Sequence, residues 1–285
     1  MGVTLCAAFV IGAALSVSGA TLQGLLRNPL AEPYMLGMVG GGALFVALAT
    51  VLGLTARGAF VLPAASLAGS CCSLLLVLAV ARFARRVRDR KGTDAAMRSA
   101  YDPVIVAGFV VGGFTGSLDM LVLSFAKADD FASVSKWLYG SLVNVTPQAL
   151  ALGAGALAVA LVVLFALRRP LDVMELGHDE AACLGVNVRG TMIAAIAAVS
   201  LATSVSVALA GAVGFVGLVV PHAVRRLFGV RQRAVVPLSA LFGGVFLVLA
   251  QLFVGLVPAD VPVGVVCAAV GAPFFLVLLS VTSSR

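Results

Sequence analysis

Nine stretches of about 20 mostly apolar residues follow one another along this 285-residue chain. The hydrocarbon core of a bilayer is about 30 Å thick, and an α-helix crosses it in about 20 residues at 1.5 Å per residue. The chain is 61% hydrophobic and 11% charged, which is too little charge to cover a soluble domain. We therefore predict an all-α polytopic membrane protein, a single transmembrane domain over residues 1–285, with about nine transmembrane helices. The predicted spans are residues 2–24, 34–54, 59–81, 103–126, 147–167, 191–210, 211–228, 235–257 and 262–281.

Small residues form stripes along two of these spans. The chain has 31 Gly but only one Trp and three Tyr, which favours closely packed helices over a membrane barrel with aromatic girdles. In the first span Ala8, Gly12, Ser16, Ala20 and Gly24 recur every four residues, and in the fourth span Gly108, Gly112 and Gly116 do so. Because residues four apart share a helix face, the stripes indicate either plain helix packing or, in the fourth span, an interface along which helices slide.

Basic residues predict the orientation of the spans. If all nine cross, Arg57, Lys127 and Lys136 face one side, and the other Lys and Arg residues, of 19 in total, face the opposite side. Excess positive charge marks the cytoplasm. We therefore expect a multi-pass protein of the cell membrane with a cytoplasmic C-terminus and cytoplasmic loops at 82–102 and 170–190. The net charge of +7 is then a property of membrane topology, and no nucleic-acid partner is expected.

Residues that could perform catalysis or bind metal are scattered. The sequence contains no G-x-x-x-x-G-K-[ST], H-E-x-x-H or G-x-S-x-G motif. Its five Cys include no C-x-x-C pair and are expected to be small buried residues, and His178 and His222 lie far apart. We expect no catalytic residue, no metal site and no cofactor.

Asp119 is the main charge within a span, and it keeps a second hypothesis open. A proton-coupled carrier needs ionisable groups inside the membrane, so the chain could be an ion-coupled secondary transporter that uses Asp119. A carboxylate near a span end more often reaches outward to water, and that is the expectation here. An intramembrane enzyme is a third hypothesis, for which the sequence offers no nucleophile with a partner base.

The loop 170–190 has the pattern of a short amphipathic helix. Asp179 and Glu180 precede a short apolar turn, and Gly185 can end it. Such a helix either docks into a groove on a soluble partner or simply connects two spans.

Several motifs occur in the order in which one known family has them. Residues 12–37 (GAALSVSGATLQGLLRNPLAEPYMLG) resemble the end of that family's second helix and the start of its third. Residues 137–141 (WLYGS) resemble its external W-x-x-G-S stretch, and residues 176–187 resemble the segment that contacts an ATPase. The family is that of the permease subunits of ABC importers for ferric siderophores, haem and cobalamin, and the resemblance covers essentially the whole chain. The motif positions are Gly19, Gln23, Asn28, Pro29, Leu30, Pro33, Gly37, Pro221, His222, Gly271 and Pro273, and the ATPase-coupling positions are Glu175, Leu176, Gly177, Asp179, Glu180, Leu184, Gly185 and Val186.

The resemblance implies a division of labour between chains. It implies a homodimer of ten-helix subunits, two ABC ATPase subunits on the cytoplasmic face and an extracytoplasmic substrate-binding protein. ATP hydrolysis would take place on the partner chains and would open a path along the homodimer interface to each side in turn, so that this chain is a transport subunit and not an enzyme. The fourth and last spans would line that path, which makes Ser117 and the glycines beside it candidates for the pathway as well as for packing.

Three features depart from the family pattern. The family's first helix is not represented, and we expect either a start codon further upstream or a shortened and impaired protein. Ala182 and Cys183 stand where the coupling segment often has Arg-Ser, and Gln251 stands where an Asp is common. The resemblance therefore predicts a weakened ATPase contact at Ala182 and Cys183.

Overall fold

A computed structural model describes residues 2–58, 60–90, 103–143, 145–257 and 261–282. The predicted basic loop 82–102 is described only as far as residue 90, so Lys91 and Arg98 lie outside the described residues, as does Arg285. Throughout the described residues the regular structure is helical. The α-helices are α1 (Gly2–Leu25), α2 (Met38–Val51), α3 (Val61–Arg90), α4 (Pro103–Leu123), α5 (Ala128–Leu138), α6 (Pro147–Ala166), α7 (Arg168–Met174), α8 (His178–Cys183), α9 (Val188–Ala210), α10 (Val216–Phe228), α11 (Gln232–Leu256) and α12 (Val263–Thr282), and two short 3-10 helices occupy Pro33–Leu36 and Leu54–Arg57.

Each of the nine predicted spans contains a helix, which confirms the all-α membrane fold. Six helices in the described part of the chain are long and apolar enough to cross a bilayer, and Met38–Val51 and Val263–Phe275 are shorter apolar segments. The seventh predicted span, 211–228, differs most from its prediction. Gly211 and Phe215 both have positive φ angles, of 69°, so the chain leaves the helical conformation there and only Val216–Phe228 is helical. Thirteen residues rise about 20 Å, less than the hydrocarbon core.

The described chain forms two compact units. The first combines Met1–Pro33 with Lys136–Arg285, and the second is Tyr34–Ser135. In the first unit α1 is the central helix and packs against α6, α7, α9, α10 and α11. It is buried from Ile11 to Leu25.

The small-residue stripe of α1 explains why this helix can be central. Ala8 and Ala20 are fully buried, and a methyl group added to Gly12 would collide with the backbone of Gly243 on α11. One turn later on α1, the Ser16 side chain lies against Gly243. The predicted close helix approach is therefore confirmed for this stripe, because van der Waals packing of small residues brings the two backbones together.

The second unit packs α2, α3 and α4 together. Gly41 on α2 and Gly69 on α3 approach each other so closely that a methyl group on either would meet the carbonyl of the other. Two α3 hydroxyl groups bond to the first turn of α2: Ser70 donates to the Met38 carbonyl at 2.9 Å and Ser73 to the Gly37 carbonyl at 2.8 Å.

The prediction that all five cysteines are small buried residues is wrong for four of them. Cys6, Cys71, Cys72 and Cys183 are exposed, and Cys267 is buried. A free cysteine behaves as a small apolar residue, so it can face lipid from the outer side of a membrane helix as readily as it can fill a core. An apolar span therefore does not indicate which of its faces is packed.

Candidate functional site at the coupling segment

The coupling segment, residues 170–190, folds as two short helices joined by a tight turn. The turn at Gly177 has a φ of 147°, and a side chain there would collide with the Glu180 carboxylate. Asp179 and Glu180 occupy the first turn of α8, where the helix dipole favours negative charge. Gly185 follows the helix with a φ of 83°, the left-handed conformation in which glycine commonly ends helices. The predicted short helix with acidic residues at its start is therefore confirmed.

One face of the coupling segment is buried and the other is open. Leu171, Met174 and Ala181 are at most 2% exposed. Leu176 and Leu184 are 63% and 66% exposed, and Asp179, Glu180 and Cys183 are exposed beside them. Large apolar side chains exposed together with charged residues are typical of a surface that binds another protein.

Two acidic residues attach the segment to the start of α11. Asp172 accepts a hydrogen bond from the backbone N–H of Gln232 at 2.7 Å, and Glu175 accepts one from the Gln232 side-chain amide, also at 2.7 Å. Gln232 is fully buried. The first residue of α11 is therefore held twice by the coupling segment, since a helix N-terminus presents unpaired N–H groups that a carboxylate can satisfy.

Arg225 connects the same region to the end of α1. Its guanidinium donates to the Gln23 side-chain oxygen and, at 2.6 Å, to the Ala20 carbonyl. Gln23 in turn donates to the Gly217 carbonyl at 3.1 Å. Burial raises the pKa of the Glu175 carboxyl above its ordinary value, while the hydrogen bond from Gln232 and the positive charge of Arg225 act in the opposite direction. We call Gln23, Asp172, Glu175, Arg225 and Gln232 the anchor cluster.

Sequence reasoning missed three members of the anchor cluster: Asp172, Arg225 and Gln232. Arg225 and Gln23 are 202 residues apart, and Gln232 and Asp172 are 60 apart. The available signal was weak: Gln232 is a polar residue at the start of a long apolar helix, and Arg225 is one of two basic residues in the last turn of α10. Nothing in those local patterns pairs them with the coupling segment.

The loop after α1 is organised by its polar residues. Asn28 accepts a hydrogen bond from the Leu30 N–H at 2.9 Å, which closes an Asx-type turn around Pro29, and Leu30 is exposed. Glu32 accepts a hydrogen bond from the Phe215 N–H at 2.7 Å, so its carboxylate lies at the N-terminus of α10. Burial raises the pKa of Glu32, and the hydrogen bond from Phe215 lowers it in part.

The remaining motif positions lie mainly in helix contacts. Gly19 packs against Gly217 backbone to backbone, Pro33 lies beside Gly217, and Gly271 lies under the Phe215 side chain. Pro221 is buried within α10, His222 beside it is half-buried, and Pro273 is exposed on α12. At the coupling segment, His178 lies 3.3 Å from the Leu25 carbonyl, and half-buried Val186 bonds through its N–H to the Ala181 carbonyl at 3.0 Å.

The glycines of α4 have unequal surroundings within the second unit. A methyl group on Gly108 would collide with the Met35 carbonyl, one on Gly112 would lie 3.8 Å from Gly37 Cα, and one on Gly116 would meet nothing within 4 Å. Ser117 donates to the Gly113 carbonyl of its own helix at 2.9 Å. The stripe is thus packed at one end and open at the other.

Asp119 on α4 is buried, contrary to the expectation that it reaches water. It is 5% exposed, and its Oδ1 atom has no hydrogen-bond partner among the described residues. Four residues earlier on the same helix, the Thr115 hydroxyl donates to the Val111 carbonyl. In the described part of the chain, no three His, Cys, Asp or Glu side chains come together as a metal site would require.

The helical architecture and its apolar spans define a multi-pass membrane transport protein, and comparisons with known proteins identify the family. The FecCD transport family matches residues 3–281. The chain belongs to the FecCD transport family. It is 35% identical over 274 residues to the cobalamin import system permease protein BtuC of Halobacterium salinarum, covering 94% of this chain and 69% of that one. It is 34% identical over 275 residues to the Fe(3+) dicitrate transport system permease protein FecD of Escherichia coli, covering 95% and 81%.

A solved structure has the same fold. It is described as an inward-facing conformation of a metal-chelate type ABC transporter, and it matches with a TM-score of 0.84 and 26% sequence identity over 98% of this chain and 85% of that chain. The family resemblance of the sequence motifs is therefore confirmed.

Proposed function

We propose that this chain is the transmembrane permease subunit of an ATP-driven importer for a metal chelate of the iron-siderophore, haem or cobalamin type. Two copies form the transport unit, two ABC ATPase subunits bind its cytoplasmic face, and an extracytoplasmic binding protein delivers the substrate. ATP hydrolysis takes place on the ATPase chains. Membership of the FecCD transport family supports the proposal, as do relatives named for cobalamin import and for Fe(3+) dicitrate transport.

The observation that carries the ATPase contact is the two-sided coupling segment. Leu176 and Leu184 are open for a partner, while Asp172 and Glu175 on the same segment hold α11. A partner that moves the exposed leucines therefore also displaces the start of a long membrane helix. This is what an energy-coupling contact requires, since transmission between sites runs through packed and hydrogen-bonded elements with discrete arrangements.

We place the protein in the cell membrane with its C-terminus in the cytoplasm. The basic residues support this orientation: Arg168, Arg169, Arg189, Arg225 and Arg231 all lie near the coupling segment along the chain. The proposed path runs along the homodimer interface between α4 and α12 of the two copies and opens to each side in turn. On α4 the open surface at Gly116 is the part of the stripe that suits a pathway.

Cross-linking from single cysteines tests the proposal. The five native cysteines are replaced by alanine, and one cysteine is introduced at Leu176 or Leu184 in the transporter assembled with its ATPase. A cysteine at Gly155, which is exposed on α6 and has no neighbour within 4 Å of an added Cβ, is the matched control. We expect Leu176→Cys and Leu184→Cys to capture the ATPase and Gly155→Cys to fail. Absence of capture from both positions in an active transporter would refute the proposed coupling role.

Buried Asp119 supports a second candidate function, that of an ion-coupled carrier. A carboxylate that is 5% exposed and has an unbonded oxygen is a group that could take up a proton inside the membrane. This candidate predicts that an uncoupler stops uptake while ATP is held constant, and that Asp119→Asn abolishes uptake. The ATP-driven importer predicts that uptake continues in the uncoupler and stops when ATP is depleted.

A further inference from the structure

A groove runs between the last turns of α6 and the first turns of α11. Its volume is about 620 Å³, and its walls are apolar except at one end. The apolar part is formed by Leu161, Val162, Phe165, Val236 and Ala240, and the charged residue is Arg168. A concave apolar surface of this size is in the range of pockets that hold small organic ligands.

Arg168 is held in place at the end of this groove. Its guanidinium lies over the Phe165 ring, 4.3 Å from the ring centroid, and donates to the Phe165 carbonyl at 2.6 Å. A guanidinium has five N–H donors, and this hydrogen bond uses one. The positive charge is therefore fixed over the apolar surface with donors remaining for an oxyanion, for which arginine is well suited.

A second arginine belongs to the same end of the groove. Arg233 is exposed on α11, four residues before Pro237 and seven before Ala240, both of which line the groove. Residues spaced by four and seven lie on one helix face. Because α6 ends at Ala166 and α11 begins at Gln232, Arg168 and Arg233 both belong to the end at which the two helices meet the surrounding loops.

We propose that the groove binds an anionic phospholipid of the surrounding bilayer, with its phosphate at Arg168 and Arg233 and an acyl chain along the apolar walls. An apolar channel with two cations at its mouth matches a lipid with a negatively charged headgroup, and basic sites between membrane helices on the cytoplasmic side suit such headgroups. Neither α6 nor α11 lines the proposed transport path, so the lipid would not compete with the substrate. The inference requires only that the chain lies in a membrane and is independent of its coupling to an ATPase.

Native mass spectrometry of the full chain in mild detergent tests this site. The protein is titrated with phosphatidylglycerol and, separately, with phosphatidylcholine of the same acyl chains. We expect one tightly retained phosphatidylglycerol per chain and weaker retention of phosphatidylcholine. Arg168→Gln should weaken phosphatidylglycerol binding about tenfold or more and leave phosphatidylcholine binding unchanged, while Arg189→Gln, at an exposed arginine on α9, should change neither.

A second variant tests the apolar part separately. Ala240→Phe places a large ring in the groove and should abolish the tight binding of phosphatidylglycerol although both arginines remain. Thermal unfolding of each variant shows whether it is folded, and the phosphatidylcholine titration is an internal reference. Equal retention of the two lipids by the unaltered chain would overturn the proposal, as would a loss of selectivity in Arg189→Gln as large as in Arg168→Gln.

Discussion

The contact between Gly19 on α1 and Gly217 on α10 supports a quantitative prediction. A methyl group on Gly19 would collide with the Gly217 carbonyl oxygen and would lie 2.7 Å from Gly217 Cα, whereas ordinary van der Waals contact begins at 3.4 Å. The two backbones would therefore have to separate by at least about 0.7 Å, and neither neighbour can rotate away because both colliding atoms are main-chain atoms. The Gly19→Ala variant carries the smallest possible addition.

The expected destabilisation can be separated from the effect on helix propensity. Overpacking of a close contact costs about 1–3 kcal/mol, while Gly→Ala within a helix gains up to about 1 kcal/mol. Gly116→Ala on α4 is the matched control, because a methyl group there meets nothing within 4 Å and only the gain applies. We expect Gly19→Ala to be less stable than Gly116→Ala by about 2–3 kcal/mol, which corresponds to roughly 4–12 °C in Tm at about 2–4 °C per kcal/mol.

Intrinsic fluorescence provides the measurement. The chain has one Trp, and the Trp137 carbonyl lies against Gly211 in the first unit, so thermal unfolding of that unit can be followed in detergent without a label. Size-exclusion chromatography checks that both variants are monodisperse before heating. If Gly19→Ala unfolds at the same temperature as Gly116→Ala, the close approach of α1 and α10 is not the packing contact that we describe.

Three further predictions concern the coupling segment. Gln232→Ala removes the amide that Glu175 accepts and should speed amide hydrogen exchange in residues 170–176 by about tenfold for each 1.4 kcal/mol lost; unchanged exchange would show that the anchor cluster does not hold the segment. Because burial raises the pKa of Glu175 above its ordinary 4.5, the folded protein binds that proton more tightly than the unfolded chain, so the stability it contributes is present below pH 4.5 and is lost as pH rises through the raised pKa. Glu175→Gln should flatten that part of the curve of unfolding free energy against pH, and an unchanged slope would assign it to another group. Exposed Cys183 should react with a water-soluble maleimide in the purified chain, and buried Cys267 should not; mass spectrometry of the labelled peptides distinguishes them.

Much of the fold follows from local patterns in the sequence. The spans could be located because a membrane helix needs a minimum length of apolar residues, and the short helix at Asp179 and Glu180 could be located from its charges and from Gly185. The break before α10 could not be located, because it depends on the backbone conformations of Gly211 and Phe215 and on a hydrogen bond to Glu32, 183 residues away.

The same distinction applies to the candidate site. The exposed coupling positions could be predicted because their pattern is continuous in the chain, as for Leu176 and Leu184. The anchor cluster could not, because Arg225, Gln232 and Asp172 come together only after four separate elements have packed. The exposure of the cysteines was also unpredictable, since hydrophobicity does not distinguish a lipid-facing position from a packed one.

Three attachments join α10 to α1 and to the loop after it. Phe215 bonds to Glu32, Gly217 packs on Gly19, and Arg225 bonds to Ala20 and Gln23. Fixed points at both ends of a 13-residue helix leave it no freedom to roll or slide along its neighbour. In a working cycle these two helices should therefore travel as one rigid body, and the hinges that allow shape change should be sought at residues outside this pair.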